Sequence, residues 1–194
     1  MKSDIQALLL QRALLYQTIT DDPIFAKQII RASSLIKQTI SSGGKILIFG
    51  NGGSAAQAQH FAAELVCHFE KERQALAAIA LTVDSSILTA QSNDNGFETV
   101  FSRQIEALCR PGDLIIGLTT SDSDISGHSY NIFNAFSAAR DIGAKSIGLF
   151  SQKTQNLLPL VDAPIVVPTD NTALIQEVHQ TVIHLLCSLA EKEL

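Results

Sequence analysis

Apolar residues recur at helical spacing over Ser3–Tyr16, with Ile5, Leu8, Leu9 and Leu15 on one side of the turn together with Arg12. Asp21-Asp22-Pro23 breaks that pattern and opens a second helix, since proline is tolerated in a first turn. This helix, Ile24–Ile40, is amphipathic and ends at Ser41-Ser42-Gly43-Gly44. No strand precedes these two helices, so they form an arm or a packing layer.

The pattern then alternates. Short apolar runs at Lys45–Phe49, Leu76–Leu81, Leu114–Leu118, Lys145–Phe150 and Ala163–Val167 read as buried strands. Helical spacing separates them at Ser54–Phe69, from the Thr82–Ser85 loop to about Ser92, at Phe97–Leu108 and at Ser129–Ile142. Thr172–Leu194 is one long final helix, and Gln152–Leu160 reads as a short helix or a loop. Asn93-Asp94-Asn95-Gly96 is a turn signal, and Glu70–Gln74 a charged loop. Repeated strand–helix alternation with apolar strands predicts a parallel sheet covered on both faces, an α/β class chain of three layers. Loops that follow strands gather at the carboxyl edge of such a sheet, where ligands bind. That rule puts Gly50–Ser54, Thr82–Ser86 and Thr119–Ser129 on one rim.

Composition sharpens this outline. The 194 residues are 46% hydrophobic and 17% charged, enough for a core and too apolar for disorder. The mean hydropathy of +0.19 suggests apolar surface buried between copies of the chain. A net charge of −5 without a basic stripe argues against a nucleic-acid partner. Cys67, Cys109 and Cys187 form no CxxC pair, which suits structural thiols in a reducing compartment. No run approaches the roughly 20 apolar residues of a membrane span. The expectation is a cytoplasmic protein with no membrane contact.

The candidate chemistry centres on Lys45–Leu65. A strand, the loop Gly50-Asn51-Gly52-Gly53 and a helix capped by Ser54 make an anion site from backbone N–H groups and the helix dipole. It is neither GxGxxG nor a P-loop, so no nucleotide or organic cofactor is expected. Thr119, Thr120, Ser126 and Ser129 offer hydroxyls in a second polar loop on the same rim. His60 and Glu64, at i and i+4, share a helix face. The last helix carries Gln176, Glu177, His179 and His184. Gln176 and His184 are about 12 Å apart along its axis, so they share one small centre only if their side chains converge or a neighbouring copy of the chain supplies one. Glu177 and His179 read as packing or solvent residues.

The stretches GNGGSAAQAQHFAAEL, AIALTVDSSILTAQSNDNGFETVFSRQIEAL, RPGDLIIGLTTS and IQEVHQTVIHLLC resemble the sedoheptulose 7-phosphate isomerases, or phosphoheptose isomerases, of the sugar isomerase (SIS) domain superfamily. The resemblance runs from Gly44 to the C-terminus. It implies one SIS domain over 1–194, with a helical arm at 1–42 and a three-layer α/β/α core of five parallel strands at 43–194. It also implies a homotetramer with active sites at subunit interfaces, and aldose–ketose isomerisation for lipopolysaccharide core heptose. By resemblance, Ser54 and the hydroxyls of the Thr119–Ser129 loop hold phosphate. Asn51, Gly52, Gly53, Asp94 and Gln176 contact the sugar, and Glu64 and His184 are the acid/base pair. His60, Glu64, Gln176 and His184 correspond to a zinc site. A second reading stays open: a non-catalytic SIS protein like the tetrameric relatives that bind the replication initiator, or a phosphosugar sensor.

The chain departs from the family in places. The usual Ser-Thr-Ser-Gly-Asn-Ser loop appears as TTSDSDISGHS, with Ser121–Ile125 inserted and two acids, Asp122 and Asp124. Negative charge beside a phosphate is unfavourable, so these acids either point away or weaken binding. The insertion leads us to expect Ser126 and Ser129, rather than Ser121 and Ser123, at the phosphate. His68, Gln57 and Leu174 stand where the family commonly has Arg, Asp and Arg.

Overall fold

A computed structural model describes residues 1–123 and 129–192. Helices α1 (Lys2–Asp21) and α2 (Pro23–Ser41) come first. Strand β1 (Ile46–Gly50), helix α3 (Gly53–Val66), strand β2 (Ala78–Ala80), helix α4 (Ser85–Asn95) and helix α5 (Ser102–Leu108) follow. Strand β3 (Leu114–Leu118), helix α6 (Tyr130–Ile142), strands β4 (Lys145–Ser151) and β5 (Ala163–Val167) and helix α7 (Thr172–Lys192) complete the chain. The five strands form one parallel sheet in the order β2-β1-β3-β4-β5.

Several expected boundaries differ: the helix read at Ser54–Phe69 ends at Val66, and the strand read at Leu76–Leu81 is only Ala78–Ala80. The Asn93–Gly96 turn is the end of α4, closed by Gly96 at φ 89°, a backbone angle that suits glycine. Phe97–Leu108 is a 3-10 turn at Phe97–Thr99 followed by α5.

Alternation along each strand builds two cores. Ile46 and Ile48 of β1 join Leu114, Ile116 and Leu118 of β3 beneath α2, α3 and α7. Leu47, Phe49 and Ile115 face the other way and pack with Phe101, Ile105, Ile132 and Phe136 of the α5–α6 layer. Phe49 anchors that layer, its ring 5.4 Å from those of both Phe101 and Phe136.

The N-terminal helices behave differently from each other. α2 is a packing layer: Phe25, Ile29, Ala32 and Ile36 are buried, and Gln28 Oε1 accepts the Val166 N–H of edge strand β5 at 3.0 Å. α1 docks on α7 only through its C-terminal half. Leu15 and Ile19 are buried, Arg12 pairs with Glu177 at 2.7 Å, and the Tyr16 hydroxyl meets that of Thr181 at 2.7 Å. Ile5, Leu8, Leu9, Leu10 and Leu14 remain exposed on α1. Among the described residues, no helix is long and apolar enough to cross a membrane.

His179, read from the sequence as a packing or solvent residue, is a core residue. It is fully buried on α7, with Nε2 3.2 Å from the Phe150 carbonyl oxygen. Burial pushes its pKa down from 6.5 to about 4, outweighing the hydrogen bond to that carbonyl. The folded state therefore binds a proton only near pH 4, whereas the unfolded chain does so near 6.5. Stability present above the unfolded value is lost as pH falls through this window, by on the order of 3 kcal/mol. Thermal melts between pH 7 and 4 should show a flatter decline for His179→Gln than for the wild type.

Candidate active site

In the order 2-1-3-4-5 the chain reverses direction of winding between β1 and β3, and a crevice opens there at the carboxyl edge. A cleft of ≈ 720 Å³ occupies that position. Asn51, Gly52 and Ser54 of the glycine loop and Thr119, Thr120, Ser121 and Ser129 of the polar loop line it. Gly52 adopts φ 56°, so the chain turns at this residue and α3 begins at Gly53. Ser54 is consequently a buried member of the first turn, not the cap expected from the sequence.

The second loop differs from expectation. Ser121 shares the cleft with Ser129, their hydroxyl oxygens 3.4 Å apart, so Ser121 is not displaced by the insertion. Ser123 is buried outside the cleft, and Ser126 and Asp124 lie outside the described residues. Thr119 lines the cleft, but its hydroxyl donates to the Ser121 carbonyl at 2.9 Å and accepts the Ser121 N–H at 3.2 Å. It shapes the loop more than it offers a free donor.

Asp122 points away from the cleft. Its carboxylate accepts the Ser123 N–H at 2.9 Å, and the Asn156 backbone and side-chain N–H groups each at 3.0 Å. The Asn156 amide also donates to the Ser123 carbonyl at 3.0 Å. The inserted acid thus clamps the loop to the segment after β4 with charge-assisted bonds. Asp122→Ala should free the loop and raise KM for a phosphosugar roughly tenfold, about 1.4 kcal/mol, with kcat within about twofold. Steady-state kinetics at saturating and limiting substrate measure both quantities.

A second group assembles along α3 and α7. His60 Nε2 lies 3.0 Å from His184 Nε2 and 3.4 Å from Glu64 Oε1. Gln180, one turn before His184, brings its Nε2 to 3.0 Å from His184 Nε2. The Phe69 ring stacks on His184 with centroids 5.2 Å apart. His60 therefore stands between Glu64 and His184 and touches both.

Gln176 does not join them. Its amide presses on the glycine loop, where a Cβ on Gly53 would come within 2.5 Å of Gln176 Nε2. The α7 backbone is held there by Gln57, whose Nε2 donates to the Gln176 carbonyl at 2.8 Å. Asp94 is exposed on α4, accepts from Asn93 at 2.8 Å, and does not line the cleft. Sequence reading missed Gln180, Phe69 and the cleft residues Phe97, Glu98, Tyr130 and Asn131. Gln180 had a signal, its i−4 position to His184 on one helix face. Phe69 and the residues after the polar loop had none.

A zinc ion is the cofactor the resemblance implies. As the side chains stand, no group of three His, Cys, Asp or Glu among the described residues is arranged to hold a metal. The donor types nonetheless suit one. Two imidazole nitrogens 3.0 Å apart are close to the about 3.3 Å between neighbouring ligands of tetrahedral zinc, and Glu64 supplies a carboxylate beside them.

A parallel 2-1-3-4-5 sheet with hydroxyl-lined loops at its switch point places the chain in the class of open α/β proteins that bind a ligand at the carboxyl edge. The SIS domain family profile matches residues 13–151. A phosphoheptose isomerase from Geotalea daltonii is 51% identical over 160 residues, 82% of this chain and 81% of its own. One from Pelobacter propionicus is 44% identical over 196 residues, 100% of this chain and 99% of its own. The structure of phosphoheptose isomerase GmhA from Neisseria gonorrhoeae superposes with a TM-score of 0.89 at 36% identity, covering 98% of each chain. The chain belongs to the SIS domain family and, within it, to the phosphoheptose isomerases, and it is an isomerase.

Proposed function

We propose that the chain converts sedoheptulose 7-phosphate to D-glycero-D-manno-heptose 7-phosphate, supplying heptose for lipopolysaccharide core synthesis in the cytoplasm. The observation that carries this reading is the meeting of His60, Glu64 and His184 on two helices whose other ends, at Ser54 and Gln176, reach the glycine loop. Along α3, Glu64 lies about 15 Å beyond Ser54. A seven-carbon phosphate is about 10 Å long at ~1.5 Å per bond, so it spans much of that distance. The replication-initiator-binding and sensor readings are not favoured, because the relatives of this length and identity are named as isomerases.

The chemistry moves one proton between C1 and C2. In the proposed reaction the Glu64 carboxylate takes the C1 proton of the ketose, and the electron pair moves to form the C1–C2 enediol. The proton returns at C2 to give the aldose, while His184 exchanges protons with the C1 and C2 oxygens. The cleft hydroxyls and first-turn N–H groups of α3 anchor the phosphate, which makes the reaction effectively intramolecular. His60, Glu64 and His184 would hold zinc, which when bound polarises a carbonyl. Gln176 completes that set only by swinging away from Gly53. The exposed apolar stripe of α1 supports assembly as a tetramer, in which a neighbouring copy would bring Asp94 to the substrate.

The test is direct assay of the purified protein with sedoheptulose 7-phosphate, alongside its mass in solution and its zinc content after purification without chelator. Turnover to the aldose is the expected result. No turnover with or without added zinc rejects the proposal, and full activity of metal-free protein in EDTA rejects zinc alone.

A further inference from the structure

Asn51 follows β1 directly, and Asn131 sits in the first turn of α6, yet their side-chain amides pair across the cleft. Asn51 Nδ2 donates to Asn131 Oδ1 at 2.9 Å, and Asn131 Nδ2 donates to Asn51 Oδ1 at 2.8 Å. Asn131 is 2% exposed, whereas Asn51 is half-buried, and both line the cleft. An amide carries two N–H donors and two oxygen lone pairs. The reciprocal pair engages one of each on both residues. Asn51 therefore keeps one N–H and one lone pair at the cleft surface.

The pairing also couples the orientations of the two amides. Flipping one amide alone would set nitrogen against nitrogen and oxygen against oxygen, breaking both bonds at once. A buried polar group left without a partner is unfavourable, so Asn131 resists any such flip. The backbone around Asn131 is held in a special conformation as well. Ser129, two residues earlier, adopts φ 54° and is the one non-glycine residue with positive φ among the described residues.

We propose that Asn131 is a positioning residue that orients Asn51 to bind a sugar hydroxyl. A hydroxyl both donates and accepts, which matches the N–H and lone pair that Asn51 has left. A phosphate oxygen only accepts, and the adjacent carbonyl oxygen would repel it. Asn51 thus reads the carbon chain near the phosphate end, while Ser54 and the polar loop hold the phosphate itself. This rests on the phosphosugar reading above and assigns Asn51 and Asn131 separate parts in it.

A double-mutant cycle tests the assignment, using wild type, Asn51→Ala, Asn131→Ala and the double variant. Each single change should lower kcat/KM for sedoheptulose 7-phosphate about tenfold, mainly through KM. The double variant should be no worse than the weaker single, because Asn131 acts through Asn51. Inhibition by inorganic phosphate, which has no carbon-borne hydroxyl, should change less than about twofold. Multiplying single effects, an unchanged Asn131→Ala, or an equal loss of phosphate inhibition would each overturn the proposal. If Asn131→Ala does not fold, Asn131→Ser replaces it in the same cycle. A wild type without turnover rejects the functional reading and this proposal with it. An active wild type with independent mutations rejects this proposal alone.

Discussion

Glu64→Gln should lower kcat for sedoheptulose 7-phosphate by at least about 10²-fold, the lower range for loss of a general base. The side chain is nearly isosteric and keeps a hydrogen-bonding oxygen toward His60, which stands 3.4 Å from the carboxylate. What disappears is the capacity to take a proton from carbon. Packing is untouched, since Glu64 is half-buried and its backbone carbonyl, which accepts from Arg73 at 2.8 Å, remains. KM, assembly and thermal midpoint should therefore stay close to wild type. Turnover within a few fold of normal would remove Glu64 from the chemistry and leave it a structural partner of His60.

The second large effect is on stability, and it arises at a residue to which the charged loop Glu70–Gln74 gives no obvious clue. Glu191 near the end of α7 is 4% exposed. Its carboxylate accepts the backbone N–H groups of Phe69, Glu70 and Lys71 at 2.8, 2.9 and 3.0 Å, and pairs with Arg73 at 3.0 Å. Burial works against its charge, but those three N–H donors and the guanidinium outweigh it and hold the pKa at about 2. Because that value is depressed, its stabilisation is complete above the ordinary 4.5 and fades only as pH falls toward 2. Glu191→Ala leaves Arg73 buried and three N–H groups unpaired. The expected loss is ~3–5 kcal/mol, as for other broken buried pairs. For a chain of this size that lowers Tm by about 10 °C or more. Denaturant unfolding at pH 7 checks it, and a loss below about 1 kcal/mol would show that solvent replaces the carboxylate.

The legibility of this chain in its sequence follows from how far apart the interacting residues are. The five strands were visible because each is a short apolar run bounded by turn residues, and the final helix because its spacing never breaks. His60 and Glu64 were visible because a helix sets i and i+4 side by side. Their meeting with His184 came by resemblance, since 124 residues separate the two histidines. The Glu191 anchor was hidden for a related reason: a carboxylate held by backbone N–H groups requires no particular side chains at Phe69, Glu70 or Lys71. The direction of the Gln176 amide was not legible, because helical geometry gives its axial distance to His184 but not the turn an amide takes once Gly53 leaves room beside it. Thr119 looked like a free hydroxyl because a turn that folds back on its own side chain leaves no trace in composition.

The clamp of Asp122 on Asn156 bears on how such a loop changes through descent. Thr119 and Ser129 remain at the cleft although the chain between them is longer than in the family pattern. Extra residues add little closure entropy, since doubling a loop costs about 0.6 kcal/mol. The greater obstacle to an acidic residue there is its charge, and for Asp122 the Asn156 N–H groups supply partners. Residues 119 and 129 stand as posts at the cleft, with Asp122 tied to Asn156 between them. Comparing such loops by contiguous strings exaggerates their divergence; comparing them by the posts keeps the kinship visible.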